Sequence, residues 1–434
     1  MVKIIEKENK MLNEKYYTFK HKSGLSVYVF PKKLTTSYAL FATRYGAVDN
    51  KFKIEGDEEF TCVPDGIAHF LEHKMFECEG GVDAFELYAK TGASANAYTS
   101  NTMTAYLFSC TERFYESLDV LLDFVTHPYF TEQTVQKEQG IIGQEIRMYD
   151  DHPGARLEKG LLQAMYEKNK MRVDIAGTTE SIAEITADTL YKCYYTFYNL
   201  NNMALCVCGD VNPERVLEVC DKVLKEAPAQ SIIRDYEDDD ERREVYRKRS
   251  VCELSVSKPI FAIGIKDLDI SSEPKMRMKK SYGMNILNEI LYSQSGKMYN
   301  ELYERNLISS DLSASCEHTM YCSFIQISSE SSNPEEVYDY FVRYIEETKK
   351  KGLDVDEFEL AKRTIYASNI KSFDSTEEIS NNLIYNVFDG GDILDAPEII
   401  SSIDIEYVTE LLNSMYKEEY YAMSVVNPLK KGKE

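Results

Sequence analysis

The amino-acid sequence predicts an α+β protein built from two homologous domains, and three observations lead to this prediction. The chain has 434 residues, which exceeds the size of one ordinary hydrophobic core. Short β-type runs alternate with long amphipathic helical patterns, such as the strand pattern of residues 25–30 and the helical pattern of residues 133–149. The order of these patterns repeats along the chain. We expect each domain to hold an antiparallel-rich sheet packed with helices.

The repeat is visible at two places in each half. Residues 126–135 lead into a helical pattern, as residues 350–359 do. A helix followed by a strand occupies residues 190–211 and again residues 405–426. Such self-similarity at the level of feature order indicates internal duplication, although the two halves share little sequence identity.

A densely charged stretch separates the two halves and is the predicted linker. Its centre, residues 237–244, consists of charged residues only, so we expect it to have little to bury. The predicted division is an N-terminal domain of residues 1–230, a linker of residues 231–254 and a C-terminal domain of residues 255–434.

Composition excludes several classes of function. The formal net charge of −23 argues against nucleic acid and against acidic membranes as partners. The N-terminal residues lack the apolar core of a signal peptide, and no run approaches a membrane-spanning length. The ten cysteines include no CxxC pair, which is typical of buried thiols in a reducing compartment. We therefore expect a cytoplasmic protein.

One short helical pattern carries a candidate metal site. Asp65 is predicted to cap a helix that begins at the next residue. Residues three and four apart share a helix face, so His69, Glu72 and His73 would project together. Two imidazoles at this spacing can bind one zinc ion. With only six histidines in the chain, two that flank a glutamate in this way favour a metal site over a helix with two packed or surface histidines.

A catalytic zinc site needs a third protein ligand from elsewhere in the chain. The helical pattern of residues 134–148 offers Glu138 and Glu145, which are seven residues apart and so lie on one face. Spacing alone does not choose between them. Glu72 is free to act as the general base that takes a proton from the attacking water.

At these residues the chain resembles the pitrilysin/insulinase family of zinc peptidases, which carry the inverted HxxEH motif. Residues 64–77 are similar to the zinc helix of that family, and residues 137–145 are similar to its second glutamate helix. Residues 91–99 are similar to its small-residue edge strand. The resemblance spans nearly the whole chain and matches the shorter branch, whose two-domain chains pair to complete a four-domain chamber.

The resemblance implies a role for each candidate residue. Glu145 would be the third metal ligand beside His69 and His73, and Glu138 would be a catalytic-site carboxylate that supports the ligands. The cofactor would be Zn²⁺, and the reaction would be hydrolysis of peptides or unfolded segments inside an enclosed chamber. The segment that contacts substrate would comprise Ala93, Ser94, Ala95, Asn96 and Ala97.

The sequence departs from the family pattern in its second half. Active members take an Arg and a Tyr, seven residues apart, from a domain that faces the zinc. Here Tyr303 stands at the Arg position, Ser309 or Ser310 stands at the Tyr position, and Arg305 is out of register. We therefore expect the zinc-bearing subunit of a heterodimer whose homologous partner supplies the pair. The alternative is that this branch orients substrate differently and works without such a partner, for example as a homodimer. The alternative function is that of a noncatalytic structural subunit of a larger assembly.

Overall fold

The structure is a computed structural model that describes residues 2–237 and 240–430. Ten strands precede the second sheet: β1 Ile5–Asn9, β2 Glu14–Lys20, β3 Ser26–Pro31, β4 Ser37–Thr43, β5 Lys51–Ile54, β6 Thr61–Cys62, β7 Ser94–Thr99, β8 Thr104–Cys110, β9 Met203–Gly209 and β10 Ile232–Arg234. The second sheet contains β11 Arg249–Leu254, β12 Ile260–Asp267, β13 Ser313–His318, β14 Ser323–Glu330 and β15 Tyr421–Pro428.

The helices of the first half are α1 Ile67–Met75, α2 Ala84–Thr91, α3 Phe114–Thr126, α4 Glu132–Asp151, α5 Pro153–Met165, α6 Thr179–Ala183, α7 Ala187–Phe197 and α8 Pro213–Val223. Those of the second half are α9 Pro274–Tyr292, α10 Lys297–Glu304, α11 Pro334–Lys351, α12 Val355–Ser372, α13 Thr376–Phe388, α14 Ala396–Ser401 and α15 Ile405–Met415. Within the described residues, no helix is both long enough and apolar enough to cross a membrane.

The two halves repeat one topology, which confirms the predicted fold class. The seven-stranded sheet has the order β1-β2-β3-β9-β4-β8-β7, and the five-stranded sheet has the order β11-β15-β12-β14-β13. Only the β3–β9 and β11–β15 pairs of these two sheets are parallel. A hairpin ends each sheet, with β7 or β13 as its edge strand.

Each half supplies one helix that packs on the sheet of the other half. The α5 residues Leu161 and Met165 are buried against Ala262 and Ala422 of the second sheet. Contact is so close that a Cβ on Gly160 would lie 2.6 Å from Ser424 Oγ. A larger residue at this crossing would have to displace the Ser424 and Ser250 side chains.

Helix α13 makes the reciprocal contact on the first sheet. Its residues Leu383 and Ile384 are buried against Phe30, Leu40 and Cys206. Both sheets thus have one face covered by a helix that is distant in sequence, and burial of these apolar side chains stabilises the arrangement.

The predicted linker, residues 231–254, has more structure than its charge indicated. Its first strand, β10, pairs with β5, and its last residues form β11. Arg234 Nε donates to Asp49 Oδ1 at 2.7 Å, and Lys266 Nζ donates to Glu241 Oε1 at 2.6 Å. The other described residues of the charged centre, 237–244, are exposed, but ion pairing permits burial of the Glu241 side chain. Residues 238 and 239 lie outside the described residues, and the domain limits at 230 and 254 stay a prediction.

Candidate metal centre

Helix α1 presents the HxxEH motif, but it begins differently from the sequence prediction. The helix cap is Gly66 at φ 88°, while Asp65 accepts a hydrogen bond from the Asn50 amide instead of capping. A Cβ on Gly66 would lie 2.4 Å from the Ala176 carbonyl oxygen. The positive φ and this close approach both require glycine. The predicted capping role of Asp65 was therefore wrong.

The three candidate ligands converge in space. One ligand atom from each of His69, His73 and Glu145 can be chosen such that all three lie within 4.8 Å of one another. His69 Nε2 is 3.7 Å from Glu145 Oε1, and His73 Nε2 is 3.6 Å from Glu145 Oε2. Two imidazole nitrogens and a carboxylate oxygen are a donor set that suits a catalytic zinc ion and leaves a position for water.

Glu138 contacts the other nitrogen of one imidazole. His73 Nδ1 donates to Glu138 Oε1 at 3.0 Å, which leaves Nε2 directed towards Glu145. A carboxylate at this place fixes the tautomer and orientation of a metal-binding histidine. Helix α4 carries both glutamates on one face, and the Thr131 side chain caps its start.

The electrostatics of the two histidines differ. Burial lowers the pKa of His69 to about 3, and nearby His73 acts in the same direction, so the His69 imidazole is neutral near pH 7 and able to bind metal. Burial alone would lower the pKa of His73, but the hydrogen bond to Glu138 and the charges of Glu72 and Glu145 raise it overall.

Glu72 lies on the same face of α1 and is only 8% exposed. Its Oε2 accepts a hydrogen bond of 2.7 Å from Thr99 Oγ1, at the end of β7. Burial raises the pKa of Glu72, whereas the Thr99 hydroxyl lowers it. The sequence prediction missed Thr99 as a partner of Glu72. Side-chain alternation along a strand was the available signal, because it places Thr99 on the same side as Ala95 and Ala97.

The five residues predicted to contact substrate lie at the open edge of the sheet. Ala93 precedes β7, and Ser94–Ala97 form its first part. Strand β7 pairs with β8 on one side and ends the sheet on the other within the described residues. Asn96 and Ala97 line a cavity of about 530 Å³, which His69, Glu72, His73 and Glu145 also line.

The strand also contacts the second half of the chain. Tyr98, which alternates with Thr99, donates its hydroxyl to Asn381 Oδ1 of α13 at 3.0 Å. Adjacent residues of β7 therefore contact the candidate base on one face and the second half on the other.

The residues at the family's Arg and Tyr positions lie outside this cavity. Tyr303 is 56% exposed and stacks on Tyr299. Ser310 Oγ is 3.2 Å from Ser329 Oγ, and the Arg305 guanidinium lies over the Tyr340 ring. None of these residues lines the cavity beside the candidate ligands within the described part of the chain.

Comparison with known proteins identifies the family. The model of the insulinase family, peptidase family M16, matches residues 63–179, and the model of the M16 inactive domain matches residues 184–365. The uncharacterized zinc protease YmfH of Bacillus subtilis is 39% identical over 414 residues, which cover 95% of this chain and 96% of that protein. The chain belongs to the insulinase family.

Solved structures of the insulinase family have the same fold. An M16-like peptidase from Alicyclobacillus acidocaldarius superimposes with a TM-score of 0.92 at 30% identity, covering 98% of this chain and 100% of that one. Pitrilysin superimposes with a TM-score of 0.73 at 15% identity, and the match covers 100% of this chain but 47% of pitrilysin. A probable β subunit of the mitochondrial-processing peptidase of Arabidopsis thaliana is 27% identical over 184 residues, covering 41% of this chain and 33% of that protein.

Proposed function

We propose that this member of the insulinase family is a zinc-dependent peptidase that hydrolyses peptides or unfolded segments. The observation that carries the proposal is the convergence of His69, His73 and Glu145 in a cavity that also contains Glu72. Relatives named zinc proteases support a zinc ion as the metal.

The candidate metal ligands, together with Glu72, Thr99 and Glu138, each have a role in the proposed hydrolysis. A zinc ion held by His69, His73 and Glu145 would polarise the scissile carbonyl and lower the pKa of the attacking water. The Glu72 carboxylate accepts a proton from that water and then donates it to the leaving amine. Thr99 holds the Glu72 carboxylate at 2.7 Å, and Glu138 holds the His73 ring.

We propose peptides as the substrate class because β7 is an edge strand. An extended peptide can add to the unpaired side of β7 through main-chain hydrogen bonds. Small side chains such as Ala95 and Ala97 leave room for a close approach of the substrate backbone. A peptide or an unfolded segment presents a free strand readily, so the proposal is limited to these substrates and does not extend to intact folded proteins.

A homologous partner subunit belongs to the proposal, with assembly into an enclosed chamber. Arg305 and Tyr303 stay outside the cavity, so this chain alone offers no Arg and Tyr in the positions that the resemblance implies. Hydrogen-bond donors directed at the developing oxyanion supply a large part of catalysis, so a partner that brings them would raise the rate. A cytoplasmic location is also part of the proposal.

The test uses the purified full-length chain and a set of unfolded peptides. We expect slow hydrolysis that a chelator abolishes and zinc restores, with a rise in turnover when the homologous partner is added. Mutation of the partner's Arg or Tyr should reverse that rise without releasing zinc from this chain. A chain that binds zinc but hydrolyses no peptide, with or without the partner, would favour the noncatalytic structural role.

A further inference from the structure

The cavity beside the candidate metal ligands has a second wall, formed by α5 and residues 171–176. Arg172 lies in this wall and is half-buried. Its Nε is buried and lacks a hydrogen-bond partner among the residues that the structure describes. No described carboxylate is within ion-pairing distance of its guanidinium.

Lys159 lies in the same wall and, in contrast to Arg172, forms ion pairs. Its Nζ lies 3.1 Å from Asp174 Oδ2 and 3.6 Å from Asp150 Oδ1. Arg172 is two residues from Asp174 in sequence, yet the two side chains form no ion pair. The two cations of the wall therefore differ in pairing although both line the cavity.

An unpaired guanidinium that is partly removed from water is costly, and a carboxylate that forms two parallel hydrogen bonds with it offsets this cost. Since the described residues supply no such carboxylate, the complementary group would come from whatever occupies the cavity. A neutral main-chain carbonyl could accept one hydrogen bond, but it would leave the charge unmatched.

We propose that Arg172 binds a carboxylate of the peptide substrate. This inference rests on the proposed peptidase function, because a peptide is the proposed occupant of the cavity. The carboxylate belongs either to an Asp or Glu side chain or to the C-terminus of the peptide. Glu158 lies in the same wall and limits where the substrate carboxylate fits. This glutamate has no ion pair among the described residues, and burial, together with the charge of Asp174, raises its pKa.

Peptide binding tests the inference without requiring turnover. Zinc-loaded Glu72→Gln protein is titrated with an unfolded peptide and with variants in which each Gln is replaced, one at a time, by Glu. If a side chain supplies the carboxylate, we expect at least one Glu peptide to bind about tenfold more tightly than its Gln counterpart, a size that a charge-assisted hydrogen bond supports. If the C-terminus supplies it, we expect amidation of the C-terminus to weaken binding by a similar factor.

Variants of Arg172 and Lys159 show which of the two cations causes the preference for a carboxylate. Arg172→Met in the Glu72→Gln background should abolish the preference for the carboxylate, whichever arm reveals it. Lys159→Met is the matched control, since it removes a cation from the same wall but should keep the preference. Equal binding of all peptide pairs, or a preference that survives Arg172→Met, would overturn the inference. Failure of the peptidase proposal is measured separately: it would be zinc-loaded wild-type protein that hydrolyses none of these peptides, with or without the homologous partner.

Discussion

The first and second halves of the chain share one backbone topology but carry different side chains at equivalent positions. In the first hairpin Ser94 pairs with Ser109, and Thr99 pairs with Thr104. In the second hairpin, His318 pairs with Ser323 across a turn of the same length. Thr99 and His318 thus occupy equivalent positions, but only Thr99 contacts a candidate catalytic glutamate.

The helix pairs α4–α5 and α12–α13 show the same difference between the two halves: equivalent positions carry different side chains. Glu145 lies seven residues before His152, the cap of α5, and Ser368 lies seven residues before Ser375, the cap of α13. By the same count, Ala361 corresponds to Glu138.

The second half also has a cavity, of about 350 Å³, between α9, α12 and α13. Amides and hydroxyls line it, including those of Tyr282, Asn285, Ser368 and Asn369, together with the carboxylate of Glu378. The repeated scaffold therefore does not by itself make a metal site; the imidazoles and carboxylates do.

Loss of a ligand imidazole should have the largest effect on this contrast. We expect His69→Ala or His73→Ala to reduce bound zinc from about one ion per chain to nearly none, because a three-ligand site does not survive loss of a ligand. Elemental analysis measures the zinc content per chain. Asn285→Ala in the second cavity is the control and should leave zinc content unchanged; full zinc retention in both His variants would refute the site.

Glu72→Gln should separate chemistry from metal binding. We expect zinc content to stay at the wild-type level and peptide turnover to fall by about 10²- to 10⁴-fold, because the amide cannot accept a proton. Turnover is followed with a peptide that the wild-type protein cleaves. Hydrolysis at the wild-type rate would show that another group is the base.

Glu138→Gln should weaken zinc binding without abolishing it. We expect affinity to fall about 10- to 100-fold, since the His73 ring loses its charged acceptor. Competition with a zinc chelator gives the affinity. Glu132→Gln makes the same change on the same helix, where the carboxylate accepts a hydrogen bond from the Ala187 main chain, and should leave the affinity unaltered.

Thr99 should show the smallest of these effects. Thr99→Val removes the hydroxyl that holds Glu72, and we expect turnover to fall about tenfold while zinc content is kept, given the strength of a hydrogen bond to a charged group. Thr99→Ser should restore most of the rate. If valine and serine behave alike, the hydroxyl has no positioning role.

Sequence alone predicted the α+β fold, the duplication and the grouping of His69 with His73, because helical spacing and a distinctive motif determine them. The choice of Glu145 over Glu138 as their partner came from the family resemblance. It did not predict the helix start at Gly66, which depends on the distant Ala176 carbonyl. Nor did it predict that Arg172 Nε is buried without a hydrogen-bond partner among the described residues, since pairing of a side chain depends on neighbours that are remote in sequence.

The charged segment between the halves was predicted from composition, which indicates solvent exposure. Burial of Glu241 depends on Lys266 and on main-chain amides of residues 167–169, contacts that composition does not reveal.

The reciprocal positions of α5 and α13 have a consequence for how the chain folds. A fragment ending near residue 230 would lack α13 and leave Phe30, Leu40 and Cys206 in water, while the complementary fragment would lack α5 over Ala262 and Ala422. Neither fragment has a complete core, so the two should unfold together in one cooperative transition. The evolutionary repeat and the thermodynamic unit of this protein are therefore different things: the sequence duplicates a half, but stability belongs to the whole.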